Sequence, residues 1–214
     1  MNFLPEELEN YIDIHCDEEP ELLKKLNHET WEKVINPRML SGHLQGRVLS
    51  MLSHMIKPLN ILEIGTYTGY SAICLAEGLQ KDGKIDTIDI NEELESIAKK
   101  YFVKSGIENK INSWFGDAKN IIPTLNKKYD LVFIDADKIN YSNYFDLVFD
   151  KINIGGYIIV DNVLWSGKVI QKIKPDDMDT KAIVAFNKKI QQDKRVQNVI
   201  LPVRDGLMIL RKMV

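Results

Sequence analysis

From about residue 60 onward the chain alternates short apolar runs with segments whose apolar residues recur every three or four positions. The runs are Ile61–Ile64, Ile85–Ile90, Ile111–Phe115, Leu131–Ile134 and Tyr157–Val160. Several are too continuously apolar for a half-exposed strand, which predicts parallel strands covered on both faces. The segments between them carry helical periods. Leu94, Ile97, Ala98 and Tyr101 fall at i, i+3, i+4 and i+7 behind Asn91, an N-cap residue with Glu92 and Glu93 after it. Lys104 occupies the last turn of that helix and Gly106 stops it. Tyr141, Tyr144, Phe145 and Val148 repeat the spacing ahead of Gly155-Gly156. Strand, crossover helix and strand in repetition predict an open α/β sheet with right-handed connections.

Both ends of the chain depart from this alternation. Val199–Val203 and Leu207–Leu210 are separated by Arg204-Asp205-Gly206, a turn that predicts an antiparallel hairpin closing a mostly parallel sheet. Residues 1–58 carry helical patterns alone, with Leu44, Val48, Met51, Leu52 and Met55 marking one apolar face of an N-terminal helical cover. No repeat, low-complexity tract or linker interrupts the chain, so residues 1–214 are expected to form one domain, with an α/β core over 59–214.

Composition narrows the function. The 214 residues are 44% hydrophobic and 28% charged, the balance of a globular chain. With 28 basic and 31 acidic residues the net charge is −3, so no global basic field points to nucleic acid or an anionic membrane. Apolar runs stay short of the ~18 residues a membrane span needs, and the start lacks the basic flank of a signal peptide. Cys16 and Cys74 are too few for a disulfide scaffold. A cytoplasmic protein is expected.

In open α/β sheets ligands bind beyond the carboxyl ends of the strands. The first such end reads Leu62-Glu63-Ile64-Gly65-Thr66-Tyr67-Thr68-Gly69-Tyr70-Ser71, a glycine turn without the G-x-G-x-x-G spacing and without a P-loop lysine. Both absences count against a pyrophosphate or triphosphate ligand. Glu63 inside the strand end is costly unless it holds a donor or a cation, and Asp89 at the second strand end can accept from ribose hydroxyls. A ligand with a cation and a ribose but no phosphate fits the pair, which is the profile of S-adenosylmethionine. A helix-capping Glu63 and a solvated Asp89 are the plainer alternatives.

The stretch resembles motif I of class I S-adenosylmethionine-dependent methyltransferases. More narrowly, residues 35–212 resemble the cation-dependent O-methyltransferases that include the catechol and caffeoyl-CoA enzymes. The matching motifs are residues 62–71, Asp89, Gly116-Asp117-Ala118, Phe133-Ile134-Asp135-Ala136-Asp137-Lys138 and Val160-Asp161-Asn162. The resemblance implies a Rossmann-like fold with a mostly parallel seven-stranded sheet. It places the amino-acid end of the cofactor near Gly65, Thr66 and Ser71, the ribose at Asp89 and the adenine at Ala118.

Asp135 at the fourth strand end and Asp161-Asn162 at the fifth are neighbours in a parallel sheet. Two carboxylates and an amide are hard oxygen ligands that suit Mg²⁺, Mn²⁺ or Ca²⁺. His15, His28, His43 and His54 lack zinc-site spacing. The residues alone leave a loop-capping role for Asp161-Asn162 open; the resemblance implies the metal. A divalent cation stabilises a phenolate whose parent phenol ionises near pH ~10. Lys138, three residues after Asp135, is placed to take the proton, and the resemblance gives this position the role of general base.

The resemblance also puts Met39 and Trp165 beside the acceptor. The stretch Asn198–Val203 holds no carboxylate where animal catechol enzymes carry one, and the plant insertion that binds coenzyme A esters is not evident. A small phenol with vicinal oxygens is the expected acceptor. The alternative is a hydroxyuridine in tRNA, reached through Lys99-Lys100, Lys127-Lys128, Lys188-Lys189 and Lys194-Arg195 across a homodimer. From another class, Asp135-Ala136-Asp137 could be the metal-nucleotide motif of a glycosyltransferase, or the chain a nucleotide-binding module. The missing phosphate-binding features oppose the first, and a base at Lys138 opposes the second. Gly69-Tyr70-Ser71 does not continue as a nucleophile elbow, which excludes a serine hydrolase.

Overall fold

A computed structural model describes residues 4–214. Seven strands form one sheet: β1 (Asn60–Ile64), β2 (Lys84–Asp89), β3 (Ile111–Phe115), β4 (Tyr129–Ile134), β5 (Ile152–Val160), β6 (Val196–Leu201) and β7 (Leu207–Lys212). Their spatial order is β3-β2-β1-β4-β5-β7-β6. β1 to β5 pair in parallel, and β7 runs antiparallel to both β5 and β6. The order reverses between β1 and β4, the switch point where a doubly wound sheet opens a crevice. The expected mostly parallel sheet with a closing antiparallel hairpin is the observed architecture.

Among the described residues eight α-helices accompany it: α1 (Glu6–His15), α2 (Glu21–Lys33), α3 (Gly42–Ile56), α4 (Tyr70–Ala76), α5 (Glu95–Lys104), α6 (Ala118–Thr124), α7 (Tyr141–Phe149) and α8 (Met178–Gln192). Successive side chains on a strand point to opposite faces, so each central strand feeds two cores. Leu62, Ile64, Val132, Ile134, Ile158 and Val160 pack with Ile122, Tyr141, Phe145 and Phe186 on the side of α6, α7 and α8. Ile61, Ile85, Leu131, Phe133 and Ile159 pack with Leu26, Leu49, Leu75 and Phe102 on the other. Coverage on both faces explains why β1 and β4 read as continuous apolar runs.

Four local expectations need correction. β2 ends at Asp89, and Ile90 lies beyond it with its side chain exposed. β3 is the edge strand and alternates half-buried with exposed positions instead of being covered on both faces. The hairpin turn spans residues 202–206, because Leu201 pairs with Leu207; Val203 is therefore in the turn and not in the strand. The largest departure is in α3. Met51 and Met55 on its apolar stripe are 62% and 74% exposed, while Gln45, Gly46, Leu49, Ser50 and Ser53 are buried.

Close packing of α3 on α4 explains the buried small-residue face, with Val48 and Leu52 at its margin. A Cβ at Gly46 would lie 2.6 Å from the Tyr70 ring and 2.9 Å from Cys74 Sγ. Ser53 Oγ donates to the Leu75 carbonyl at 2.6 Å. Small residues set the helix separation here, and α4 itself is buried along its whole length.

The helix behind Asn91 forms as expected, with one refinement. Asn91 caps a short 3-10 turn over Glu92–Leu94, its side chain accepting from the Glu93 amide at 3.0 Å, and α5 continues from that turn. Gly106 follows α5 with φ +70.

Gly65 is where backbone meets backbone. Its φ is +107, and a Cβ there would collide with the Asp135 carbonyl at the end of the neighbouring strand. Gly65→Ala is therefore expected to lower stability by roughly 2–4 kcal/mol, from a left-handed backbone plus a displaced strand end. Urea unfolding of the variant and the parent measures it.

Candidate active site

The site grows from register. Ile64 pairs with Ile134, and Ile134 with Val160, so the next residues out, Gly65, Asp135 and Asp161, stand abreast. The ladder continues through them: Asp135 N donates to Ile64 O at 2.9 Å and Asp161 N to Ile134 O at 3.0 Å. On the other side of β1, Gly65 N donates to Ile88 O at 2.9 Å, which brings Asp89 alongside. The backbone alone thus collects three acidic side chains at one edge of the sheet.

These ends open into a cavity of about 1910 Å³ lined by Gly65, Thr66, Ser71, Asp89, Ala118, Asp135, Lys138, Asp161, Asn162, Trp165 and Met39. Every candidate residue except Glu63 faces it. Glu63 stands behind Ser71, fully buried. Its Oε1 accepts from Ser71 Oγ at 2.6 Å and its Oε2 from Thr87 Oγ1 at 2.5 Å, Thr87 being its register partner on β2. Thr66 Oγ1 lies 2.5 Å from Thr87 Oγ1 and extends this network. Burial outweighs the two hydroxyl donors, with Asp135 and Asp89 adding like charge, and pushes the Glu63 carboxyl up to about 8.

Asp89 closes the glycine turn. Its Oδ2 accepts from Tyr67 N at 2.6 Å and its Oδ1 from Asn91 N at 2.8 Å. Tyr67 has φ +50 and Gly69 φ +88, so two left-handed residues shape the turn. Ala118 opens α6, whose N-cap Asp117 accepts from Lys119 N at 2.9 Å.

At the other end of the cavity, Lys138 Nζ lies 3.1 Å from Asp135 Oδ1 and donates to Tyr141 OH at 2.6 Å. Tyr141 OH in turn donates to the Asp161 carbonyl at 2.9 Å, so the tyrosine joins the β4 and β5 ends. The Lys138 ammonium also sits 4.9 Å from the Tyr141 ring centre and 5.9 Å from that of Trp165. Only 12% of its side chain is exposed. Trp165 and Met39 flank this end, Met39 being largely exposed and Trp165 half-buried with φ +47.

Asp161 is buried, and burial together with the facing Asp135 charge pushes its carboxyl up to about 7. Its Oδ1 accepts from Asn162 N and its Oδ2 from Gln45 Nε2, each at 2.7 Å. Asn162 holds φ +59, and among the described residues its side-chain amide has no hydrogen-bond partner. No three His, Cys, Asp or Glu side chains among the described residues form a metal site. The predicted trio is instead two carboxylates and an amide oxygen. Two facing carboxylates and a free amide oxygen are a hard-oxygen donor set that a divalent cation fits.

Tyr141 and Gln45 were not legible as participants from the sequence. Tyr141 sits on the apolar stripe of α7 and read as core, and Gln45 lies inside the patterned helix α3. The polar end of a tyrosine within an otherwise apolar period, and a buried-face glutamine, are the signals that were available. The lysines proposed to track RNA are largely occupied. Lys99 pairs with Glu95, Lys100 with Glu29, Lys127 with Asp86, Lys189 with Asp146 and Arg195 with Asp193.

Comparison with known proteins agrees with this geometry. The O-methyltransferase family profile matches residues 13–213. Caffeoyl-CoA O-methyltransferase 5 of Nicotiana tabacum is 36% identical over 208 aligned residues, covering 91% of this chain and 85% of the relative. Caffeoyl-CoA O-methyltransferase of Medicago sativa is 35% identical, covering 91% and 83%. Among solved structures, the Bacillus cereus O-methyltransferase in complex with SAH superposes with a TM-score of 0.88 at 27% identity, covering 96% of this chain and 97% of that one. TomG of Streptomyces achromogenes, in complex with SAM, gives 0.87 at 26%, covering 97% and 96%. A mostly parallel sheet open at its carboxyl edge, with a glycine turn there and these relatives, places the chain among the class I methyltransferases. The chain belongs to the O-methyltransferase family, and its reaction is S-adenosylmethionine-dependent O-methylation. No helix among the described residues is long and apolar enough to cross a membrane.

Glu63 makes a pH prediction. The folded chain retains a proton between about 4.5 and 8 that the unfolded chain has lost. Unfolding free energy therefore falls as pH rises through that window, with a limiting slope of roughly 1.4 kcal/mol per pH unit from this group. Glu63→Gln is expected to flatten the fall, read from denaturant midpoints of the ligand-free protein across that range.

Proposed function

We propose that the enzyme methylates one hydroxyl of a small phenol with vicinal oxygens, using a divalent cation held by Asp135, Asp161 and Asn162. The observation that carries this reading is Lys138 Nζ at 3.1 Å from Asp135, on the strand end adjacent to Asp161. A bound divalent cation would supply Lewis-acid stabilisation of the ionised acceptor oxygen and would fix the ring. The unpartnered Asn162 amide and the mutual repulsion of Asp135 and Asp161 support placing a cation there.

The chain's own residues do the remainder. Gly65, Thr66 and Ser71 hold the amino-acid end of S-adenosylmethionine, with Glu63 behind Ser71 orienting its hydroxyl. Asp89 accepts from the ribose and Ala118 abuts the adenine. Lys138, once its ammonium has released a proton to solvent, takes the proton of the acceptor hydroxyl at Nζ. Tyr141 and Asp135 keep that nitrogen at the mouth, and Asp135 stabilises the ammonium that results. Trp165 and Met39 give the aromatic ring an apolar wall, excluding water from the transfer. Positioning of oxygen and methyl carbon then supplies much of the acceleration.

The curated relatives are named for caffeoyl-CoA, whose ring carries two vicinal hydroxyls, and this supports a catechol-like acceptor. Pairing of two copies is part of the same reading and is supported by the exposed Met51 and Met55 on α3.

Methyl transfer from labelled donor to a panel of catechols and to unmodified tRNA, with and without chelator, tests the acceptor and the cation. Transfer to a catechol, abolished by EDTA and restored by Mg²⁺, is the expected result. Label appearing in tRNA alone, or turnover indifferent to EDTA, overturns it. Lys138→Ala is expected to cut kcat by roughly 10²–10⁴-fold. Its affinity for S-adenosylhomocysteine, measured by calorimetry, should match that of the parent.

A further inference from the structure

Asp161 accepts a hydrogen bond from a residue 116 positions earlier in the chain. Gln45, on the first turn of α3 and wholly buried, donates through Nε2 to Asp161 Oδ2 at 2.7 Å. A glutamine amide can present either its NH₂ or its oxygen to a neighbour, so the direction of this bond needs an explanation. Arg204 provides it. Its Nη1 lies 3.3 Å from Gln45 Oε1, and a guanidinium has donors and no acceptor, so the amide oxygen must face it. With Oε1 committed, Nε2 is left pointing at the carboxylate.

Arg204 is itself held. The same Nη1 donates to the Leu40 carbonyl at 2.9 Å and to the Ser41 carbonyl, at the entry to α3. Its φ of +48 is a left-handed value for a non-glycine residue in the β6–β7 turn. The turn, the start of α3 and the end of β5 are thus joined by one hydrogen-bonded chain, Arg204 to Gln45 to Asp161. The Asp161 carboxylate has no other side-chain donor among the described residues.

We propose that Gln45 is a positioning residue that aims the Asp161 carboxylate at the cation site, with Arg204 setting the direction of the Gln45 amide. The proposal rests on the cation reading given above. Carboxylates that ligate metals are oriented by hydrogen-bonded neighbours, and loss of such a neighbour weakens metal binding by roughly 10–100-fold. Gln45 reaches no bound group itself; it works through Asp161. A purely structural role in satisfying a buried acid would instead weaken the fold and leave the cation preference of the folded protein untouched.

Manganese binding to the full chain, followed by the electron paramagnetic resonance signal of free Mn²⁺ without methyl donor or acceptor, separates these roles. Gln45→Met keeps the volume and removes the donor. Its Mn²⁺ dissociation constant is expected to rise by roughly 10–100-fold while its affinity for S-adenosylhomocysteine stays at the parent value. Turnover should return toward the parent kcat as Mn²⁺ is raised. Unchanged Mn²⁺ affinity in a variant that melts cooperatively overturns the proposal. Should Gln45→Met fail to fold, Arg204→Met carries the same titration: weaker Mn²⁺ binding supports the chain of three residues and equal binding overturns it. A parent protein that binds no Mn²⁺ would instead overturn the cation reading and this proposal with it.

Discussion

Backbone hydrogen bonds carry the parallel ladder one residue past the ends of β4 and β5, through Asp135 N to Ile64 O and Asp161 N to Ile134 O. Everything else in the site depends on this extension. Adjacent strands lie about 4.8 Å apart, so residues in register at their ends are held within side-chain reach of one another. Gly65 is needed at that level because the Asp135 carbonyl occupies the space a Cβ would fill. The two cores, one on each face of the sheet, keep the strands flat against their helices and leave the carboxyl edge as the opening.

The same juxtaposition creates an electrostatic problem. Glu63, Asp89, Asp135 and Asp161 converge on one sheet edge, and two of them, Glu63 and Asp161, are buried. Hydroxyl and amide donors from Ser71, Thr87, Gln45 and the Asn162 backbone meet them, yet burial still raises both carboxyls. Lys138 is the cation nearest Asp135, and it is shared with Tyr141. A site built this way favours cationic over anionic ligands. Neither end of the cavity has the backbone cradle that a phosphate requires.

Helix α3 shows a second constraint at work. Met51 and Met55 of its apolar stripe are turned outward, Val48 and Leu52 pack at the margin of the core, and a face of Leu49, a glycine, serines and a glutamine is turned in. Close approach to α4 rewards small residues, since dispersion contact between backbones replaces contact between side chains. That close approach also carries Gln45 to Asp161. The packing of α3 and the orientation of the acid on β5 are therefore one arrangement.

Most of the fold was legible in the chain. Short continuous apolar runs, a period of three to four residues and a turn signal located the strands, the helices behind Asn91 and over 141–149, and the closing hairpin, because covered strands and amphipathic helices leave those signatures locally. That Gly65, Asp89, Asp135, Lys138, Asp161 and Asn162 gather along one edge of the sheet was also legible, since each stands at or shortly after a strand end, and all six line one cavity. What the sequence could not carry was which face of α3 is buried, that Ile90 and Met55 are left in solvent, that Glu63 stands behind Ser71 and not in the cavity, and that Gln45, Tyr141 and Arg204 reach the site. Those follow from distances between elements remote in the chain: helix separation, register between strands and the room left by a neighbouring backbone. Local periodicity records how a segment meets water and core. It does not record which partner waits on the buried side.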